Sequence, residues 1–125
     1  MNWRRRVGKK KRESEKEKMN EELEMARELQ LALLPQKFPA IPTDASASDS
    51  AVRFLSYYFP TGDVSGDFFS IFPVTEKAVG IFICDVMGHG VRAALVTSMI
   101  RAMIEECGHK ALEPDALLTR INQGL

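Results

Sequence analysis

The pattern of hydrophobic and polar positions begins with a long helical stretch. From about Lys10 to Leu34 the chain has no Pro or Gly and is rich in Glu, Lys, Leu, Met and Ala, which predicts a helix. Its seam positions are spaced four and three residues apart, as in a two-helix coiled coil. They are Met19, Leu23, Ala26, Gln30 and Leu33, and the stripe is widened by Met25, Leu29 and Ala32. Two heptads are few for a coiled coil, so an amphipathic helix packed on its own domain is an equally good interpretation.

Proline-rich sequence separates this helix from a second unit. Pro35, Pro39 and Pro42, followed by TDASASDS, predict an extended, flexible connection over residues 35–50. After it, three apolar runs separated by turn residues predict strands that pair as antiparallel hairpins: VRFLSYYF, DFFSIFPV and AVGIFICDV. The third run is apolar on both faces, so we expect its strand to be covered on both sides.

Helical patterns follow Gly90 and Pro114. Gly108 is expected to end the first of these helices. The residues expected to point inward are Val91, Ala94, Leu95, Met99, Ala102 and Met103, and the opposite stripe is Thr97, Arg101 and Glu105. The predicted organisation is a basic arm and helical linker at 1–34, a connection at 35–50, and the N-terminal portion of an α+β domain at 51–125.

Charge and composition narrow the class of protein. The net charge is zero, but residues 1–22 carry nine Lys/Arg against five Asp/Glu and the remainder carries eight against twelve. Such a basic arm suits a solvated tail better than a nucleic-acid or lipid contact, so we expect neither partner. No apolar run approaches the roughly 18 residues of a membrane span, and no signal peptide is recognisable. Two cysteines form no metal or disulfide spacing, and we expect a cytoplasmic protein.

The candidate chemistry lies where the third apolar run meets the following helix, in DVMGHG. Asp85 ends an apolar strand, where a carboxylate needs a partner, a hydrogen bond or a metal. Gly88 and Gly90 permit a sharp turn and expose amide groups at a helix start, which favours an anion. A carboxylate for a hard cation beside amides for an anion would suit a phosphate held on a metal. A cap or a structural hydrogen-bond acceptor is the alternative role for Asp85.

Other residues extend this candidate site. Asp67 opens the second predicted strand, and antiparallel pairing would bring it close to Asp85, where two carboxylates suit a divalent cation. His89 is a candidate general acid, although a turn or capping role is commoner. Arg92, in the first helical turn, is a candidate phosphate contact, although a solvated arginine is commoner.

Three segments, in this order and at these distances, resemble the PPM-type metal-dependent serine/threonine phosphatases, and most closely the bacterial branch of the sporulation stage II protein E. They are ELQLALLPQKFP, YYFPTGDVSGDFFSIF and VGIFICDVMGHGVRAALVTSMIRAM. The resemblance implies the N-terminal part of an α-β-β-α sandwich of antiparallel sheets and helices, preceded here by a long amphipathic helix. It departs from the commoner VGGD and DFFD or DYYD patterns at Ser65 and Ser70.

By motif position, the resemblance implies a centre of two Mn²⁺ or Mg²⁺ ions with Asp67 and Asp85 as ligands and Val86 lending a backbone carbonyl. The two aspartates would act in catalysis through a metal-bound water that attacks phosphoserine or phosphothreonine. Further metal aspartates of such domains lie in their C-terminal half, and no matching segment follows here. We therefore expect an incomplete site in a fragment or truncated product.

The resemblance also implies a setting in bacterial signalling. The expected substrate is a phosphorylated anti-anti-sigma factor of the STAS fold, and the helix before Pro35 matches a linker that dimerises and regulates such enzymes. The alternative function is a non-catalytic dimerising or regulatory interaction module.

Overall fold

The computed structural model describes residues 3–60, 64–88, 90–108 and 113–125. In order along the chain, the elements are α1 (Trp3–Leu33), β1 (Asp67–Thr75), β2 (Ala78–Asp85), α2 (Val91–Cys107) and α3 (Pro114–Gly124). The α+β class and the leading helix are confirmed. α1 begins before the predicted start because Gly8 is accommodated inside the helix. No helix within the described ranges has the length and apolarity to cross a membrane.

The two strands form an antiparallel hairpin joined by a turn at Glu76 and Lys77, as predicted. Side chains alternate between the two faces of such a sheet. On the inner face of β1, Phe68, Ser70 and Val74 are buried. This face packs against the helices and builds the core. The buried apolar residues of that core are Leu34, Phe68, Val74, Ile100, Ile104, Leu117 and Ile121.

The prediction of which side of α2 is buried was wrong. Val91, Leu95 and Met99 are exposed, whereas Thr97, assigned to the outer stripe, is only 1% exposed. The buried residues of α2 are Ala93, Thr97, Ile100 and Ile104. Apolar residues lie all round this helix, so its pattern does not select one face. Thr97 tolerates burial because its hydroxyl donates to the Ala94 carbonyl at 2.9 Å.

The outer face of the hairpin is not covered as the sequence predicted. Ile81 is 59% exposed and Ile83 is 77% exposed, although both lie in the apolar run of β2. Their strand partners are Ile71 and Phe69. In the part of the chain that the structure describes, the β2 side of this face is open, while Tyr58 packs on Phe69 of β1. The expectation of cover on both sides was therefore wrong.

The first predicted strand, residues 52–59, is absent from the sheet. Within this segment Phe54 and Tyr58 are half-buried, and the three residues between them are exposed, so its burial does not alternate with the period of two of a strand. The Phe54 ring packs 5.9 Å from Phe38, and the Tyr58 ring packs 6.4 Å from Phe69. A segment rich in β-branched and aromatic residues favours extended backbone, but this composition does not provide a partner strand, which explains the error.

The connection at 35–50 is irregular, as predicted, but it closes on itself instead of extending. The Ala51 amide donates to the Ile41 carbonyl at 2.7 Å, and the Ile41 amide donates to Ser50 Oγ at 2.9 Å. The Thr43 amide donates to the Glu76 carbonyl at 3.0 Å. The connection is thereby attached to the β1–β2 turn.

The difference between a packed inner side and an exposed outer face is testable by shortening one isoleucine to alanine on each. Ile104→Ala removes a core side chain that is 2% exposed, so we expect a loss of about 2–5 kcal/mol in the free energy of unfolding. Ile83→Ala is expected to cost less than about 1 kcal/mol. Urea unfolding of both variants measures the difference. Equal losses would contradict the exposure of the outer face.

Candidate metal centre

The two candidate aspartates face each other at the end of the hairpin. Asp67, the first residue of β1, pairs with Asp85, the last residue of β2. Directly opposed residues in an antiparallel pair have Cβ atoms about 4.5–5.5 Å apart. Both residues are exposed. Two like charges in this relation destabilise the pair unless a cation lies between them, so the arrangement favours cation binding.

The backbone of Val86 is held beside this pair. The Val86 amide donates to the Gly66 carbonyl at 3.0 Å, and the Gly90 amide donates to the Val64 carbonyl at 3.3 Å. These bonds join the loop after β2 to the loop before β1. A Cβ atom on Gly66 would lie 2.1 Å from the Val86 carbonyl oxygen. Only glycine therefore allows the Val86 carbonyl to occupy this place.

The Asp67 carboxylate and backbone are held by neighbouring hydroxyl groups. The Ser65 hydroxyl donates to Asp67 Oδ2 at 3.2 Å and accepts the Asp67 amide at 3.1 Å. The Tyr58 hydroxyl donates to the Asp67 carbonyl at 3.1 Å. Burial raises the pKa of Tyr58; the Ser65 hydrogen bond opposes this shift and the nearby Asp67 charge adds to it. Tyr58 therefore stays protonated at neutral pH and remains a donor.

Gln30, which lies 35 residues earlier in the chain, holds the backbone of Ser65. Its side-chain Oε1 accepts the Ser65 amide at 3.0 Å, and its Nε2 donates to the Ser65 carbonyl. Gln30 is 4% exposed, so these bonds satisfy polar groups that water does not reach. The contact attaches the last turns of α1 to the loop that precedes Asp67.

The remaining candidates lie in the loop before α2. Gly88 and Gly90 have φ of 107° and 76°, a region that favours glycine. Gly90 is the N-cap of α2 and makes no side-chain cap. Arg92 is exposed in the first turn. His89 lies outside the described residues, so its predicted role stays a prediction.

The donors at the end of the hairpin fit a hard divalent cation. Asp67 and Asp85 offer carboxylate oxygens and Val86 offers a carbonyl, the ligand types that Mg²⁺ and Mn²⁺ prefer. Within the described ranges, no group of three or more His, Cys, Asp or Glu side chains is placed to hold a metal. By themselves, these three donors would make only part of a coordination shell. Their assignment as ligands stays a prediction.

Cys84 does not add a nucleophile to this site. Burial raises the pKa of its thiol, and the charges of Asp85 and Asp67 raise it further. The thiolate, which is the reactive form, is therefore disfavoured at neutral pH.

The sequence interpretation missed the supporting residues. Tyr58 was predicted only as part of the first strand, and Gln30 only as a seam position of α1. A polar residue within an apolar stripe was the available signal for Gln30. Nothing in the local sequence marked Tyr58 as a donor to the backbone of Asp67.

Comparison with known proteins supports the resemblance found in the motifs. Residues 75–125 match the family described as stage II sporulation protein E. The match includes Asp85 and Val86 and begins after Asp67. The chain is also 31% identical over 74 residues to the phosphoserine phosphatase RsbP of Bacillus subtilis (strain 168). The aligned stretch covers 59% of this chain and 18% of that protein. No solved structure gave a significant match. The predicted resemblance to the sporulation stage II protein E branch of the PPM-type phosphatases is confirmed.

The contact between Gly66 and the Val86 carbonyl predicts a large effect from one methyl group. Gly66→Ala is expected to lower the free energy of unfolding by about 1–3 kcal/mol, because two backbone segments must separate. The matched control is Gly8→Ala in α1, where nothing lies within 4 Å of the added atom. That change is expected to be neutral or to stabilise by up to about 1 kcal/mol. Thermal and urea unfolding check both values, and a neutral Gly66→Ala would contradict the close approach.

Proposed function

We propose that this chain is part of a metal-dependent protein serine/threonine phosphatase that acts in bacterial signalling. The observation that carries the proposal is the pairing of Asp67 with Asp85 in the hairpin. The match of residues 75–125 to the sporulation protein family and the similarity to a phosphoserine phosphatase support it. The chain spans about a fifth of that relative's length, so further parts of a complete site would come from sequence beyond the matched stretch.

Each residue of the site has a distinct part in the proposed chemistry. Asp67 and Asp85 hold Mn²⁺ or Mg²⁺ with their carboxylates, and Val86 adds its carbonyl oxygen. Ions held there would supply the positive charge that lowers the pKa of water for hydrolysis of a phosphate monoester. The amides at the start of α2 face the phosphate, since a helix N-terminus favours an anion. Arg92, exposed in the first turn of α2, adds a positive charge near this helix start.

The proposed substrate is a phosphoserine or phosphothreonine protein, specifically an anti-anti-sigma factor of the STAS fold in the cytoplasm. The similarity to a phosphoserine phosphatase supports the phosphoserine part. The motif resemblance alone supports the STAS-fold partner.

A metal-dependent assay of a full-length phosphatase that carries this chain as its N-terminal half tests the proposed function. With Mn²⁺ we expect phosphate release from a phosphoserine peptide, and no release in chelator. Asp85→Asn removes one ligand charge and is expected to reduce the rate by at least about 100-fold, equivalent to a few kcal/mol of transition-state stabilisation. Without metal, the same variant should be slightly more stable, because it relieves the repulsion with Asp67. Equal hydrolysis in chelator would contradict the proposal.

A second candidate function is a non-catalytic dimerising module that acts through α1. Met25 and Leu29 are 57% and 69% exposed on this helix, and Met19 is exposed nearer its start. Leu23, Ala26 and Gln30 are by contrast at least partly buried. The exposed apolar side of α1 is therefore the proposed surface for a second copy.

Sedimentation of the whole chain tests this surface. We expect a dimer that Leu29→Glu converts to a monomer, since a charge is placed in the apolar contact. Asn20→Glu adds a charge at an exposed polar position of the same helix and should leave the dimer intact. A wild-type chain that stays monomeric at high concentration would exclude this function.

A further inference from the structure

Ser65 makes an unusual set of contacts for a loop serine. Its hydroxyl accepts the amide of Asp67 and also donates to the carboxylate of the same residue, at 3.1 and 3.2 Å. The first bond is a common local turn contact. The second is different, because it restricts the rotation of the carboxylate relative to its own backbone. A hydroxyl that is hydrogen-bonded to both the backbone amide and the carboxylate of one residue selects one rotamer of its side chain.

The serine is itself held in place. Gln30 binds both the amide and the carbonyl of Ser65, and both residues are buried. Tyr58 binds the carbonyl of Asp67 at 3.1 Å, which fixes the backbone on the other side of the carboxylate. The hydroxyl therefore acts from a fixed position.

We infer that Ser65 is a positioning residue that orients the Asp67 carboxylate toward Asp85 for cation binding, an inference that rests on the proposed metal-dependent function. The hydroxyl occupies one acceptor site on Oδ2. A carboxylate has about four such sites, so Oδ1 and the rest of Oδ2 stay available to a cation. Hydrogen bonds of this kind orient metal-binding carboxylates and tune their affinity. Ser65 stands where the commoner VGGD pattern has glycine, so this contact depends on a side chain that the commoner pattern lacks.

The test measures Mn²⁺ binding to the whole chain, with MnCl₂ alone as the probe and free Mn²⁺ read by electron paramagnetic resonance. Ser65→Ala is expected to weaken binding by at least about tenfold, the usual minimum for loss of such a partner. Ser65→Gly, which restores the glycine of the commoner VGGD motif, should also weaken Mn²⁺ binding by at least about tenfold. Ser65→Thr retains the hydroxyl and should restore most of the affinity. Ser98→Ala is the matched control, because that hydroxyl donates to the Ala94 carbonyl of its own helix at 2.8 Å and, among the described residues, has no bond to the loop before Asp67.

A second measurement needs no metal. Hydrogen exchange of the Asp67 amide should accelerate in Ser65→Ala and Ser65→Gly, since its acceptor is lost, and should stay slow in Ser98→Ala. Circular dichroism confirms that each variant is folded. Wild-type affinity in the folded Ala and Gly variants would overturn the positioning role and leave the metal centre standing. A wild-type chain that binds no Mn²⁺ would overturn the proposed metal centre, and the role of Ser65 with it.

Discussion

The antiparallel pairing of β1 with β2 is the constraint on which the candidate site depends. Its register places Asp67 opposite Asp85 and Phe68 opposite Cys84. Because side chains alternate along a strand, a slip of one residue would exchange the inner and outer faces. Phe68 would leave the core, and Asp67 would no longer lie directly opposite Asp85. The burial of the inner face thus maintains the pairing of Asp67 with Asp85. Packing elsewhere in the hairpin offsets the repulsion between these two like charges.

The two faces of the hairpin have different roles. The inner face joins β1 to α2 and α3 through Phe68, Ile104 and Leu117. The outer face keeps Ile81 and Ile83 in contact with solvent within the described residues. Apolar exposure of this extent on a sheet usually marks a contact surface. It lies on the same face as Asp67 and Asp85, because all four residues are at positions of the same parity in the paired strands.

The features of the fold and candidate site that depend on residues close together in the sequence were predictable, and those that depend on distant residues were not. The hairpin and the pairing of Asp67 with Asp85 followed from two apolar runs and a short turn, which are local signals. The prediction of which face of α2 is buried was wrong, because an apolar helix offers no contrast between its sides. Thr97 was assigned to the outer face only because it is polar. Segment 52–59 had the composition of a strand but no partner. The contact of Gln30 with Ser65 spans 35 residues and leaves no local trace beyond a polar residue in an apolar stripe.

That long-range contact changes how α1 relates to the site. Gln30 binds the Ser65 backbone, and a second bond runs from Arg101 of α2 to the Leu33 carbonyl at 2.7 Å. The last turn of α1 is therefore bound at two points, one beside Asp67 and one on the helix that follows Asp85. Both bonds cross the boundary that composition placed near residue 34. Gln30 and Ser65 are buried, so their hydrogen bonds would be replaced by bonds to water only if α1 separated from the loop. The position of α1 and the order of the loop before Asp67 are therefore energetically linked. The end of this helix is accordingly part of the structure that supports the aspartate pair.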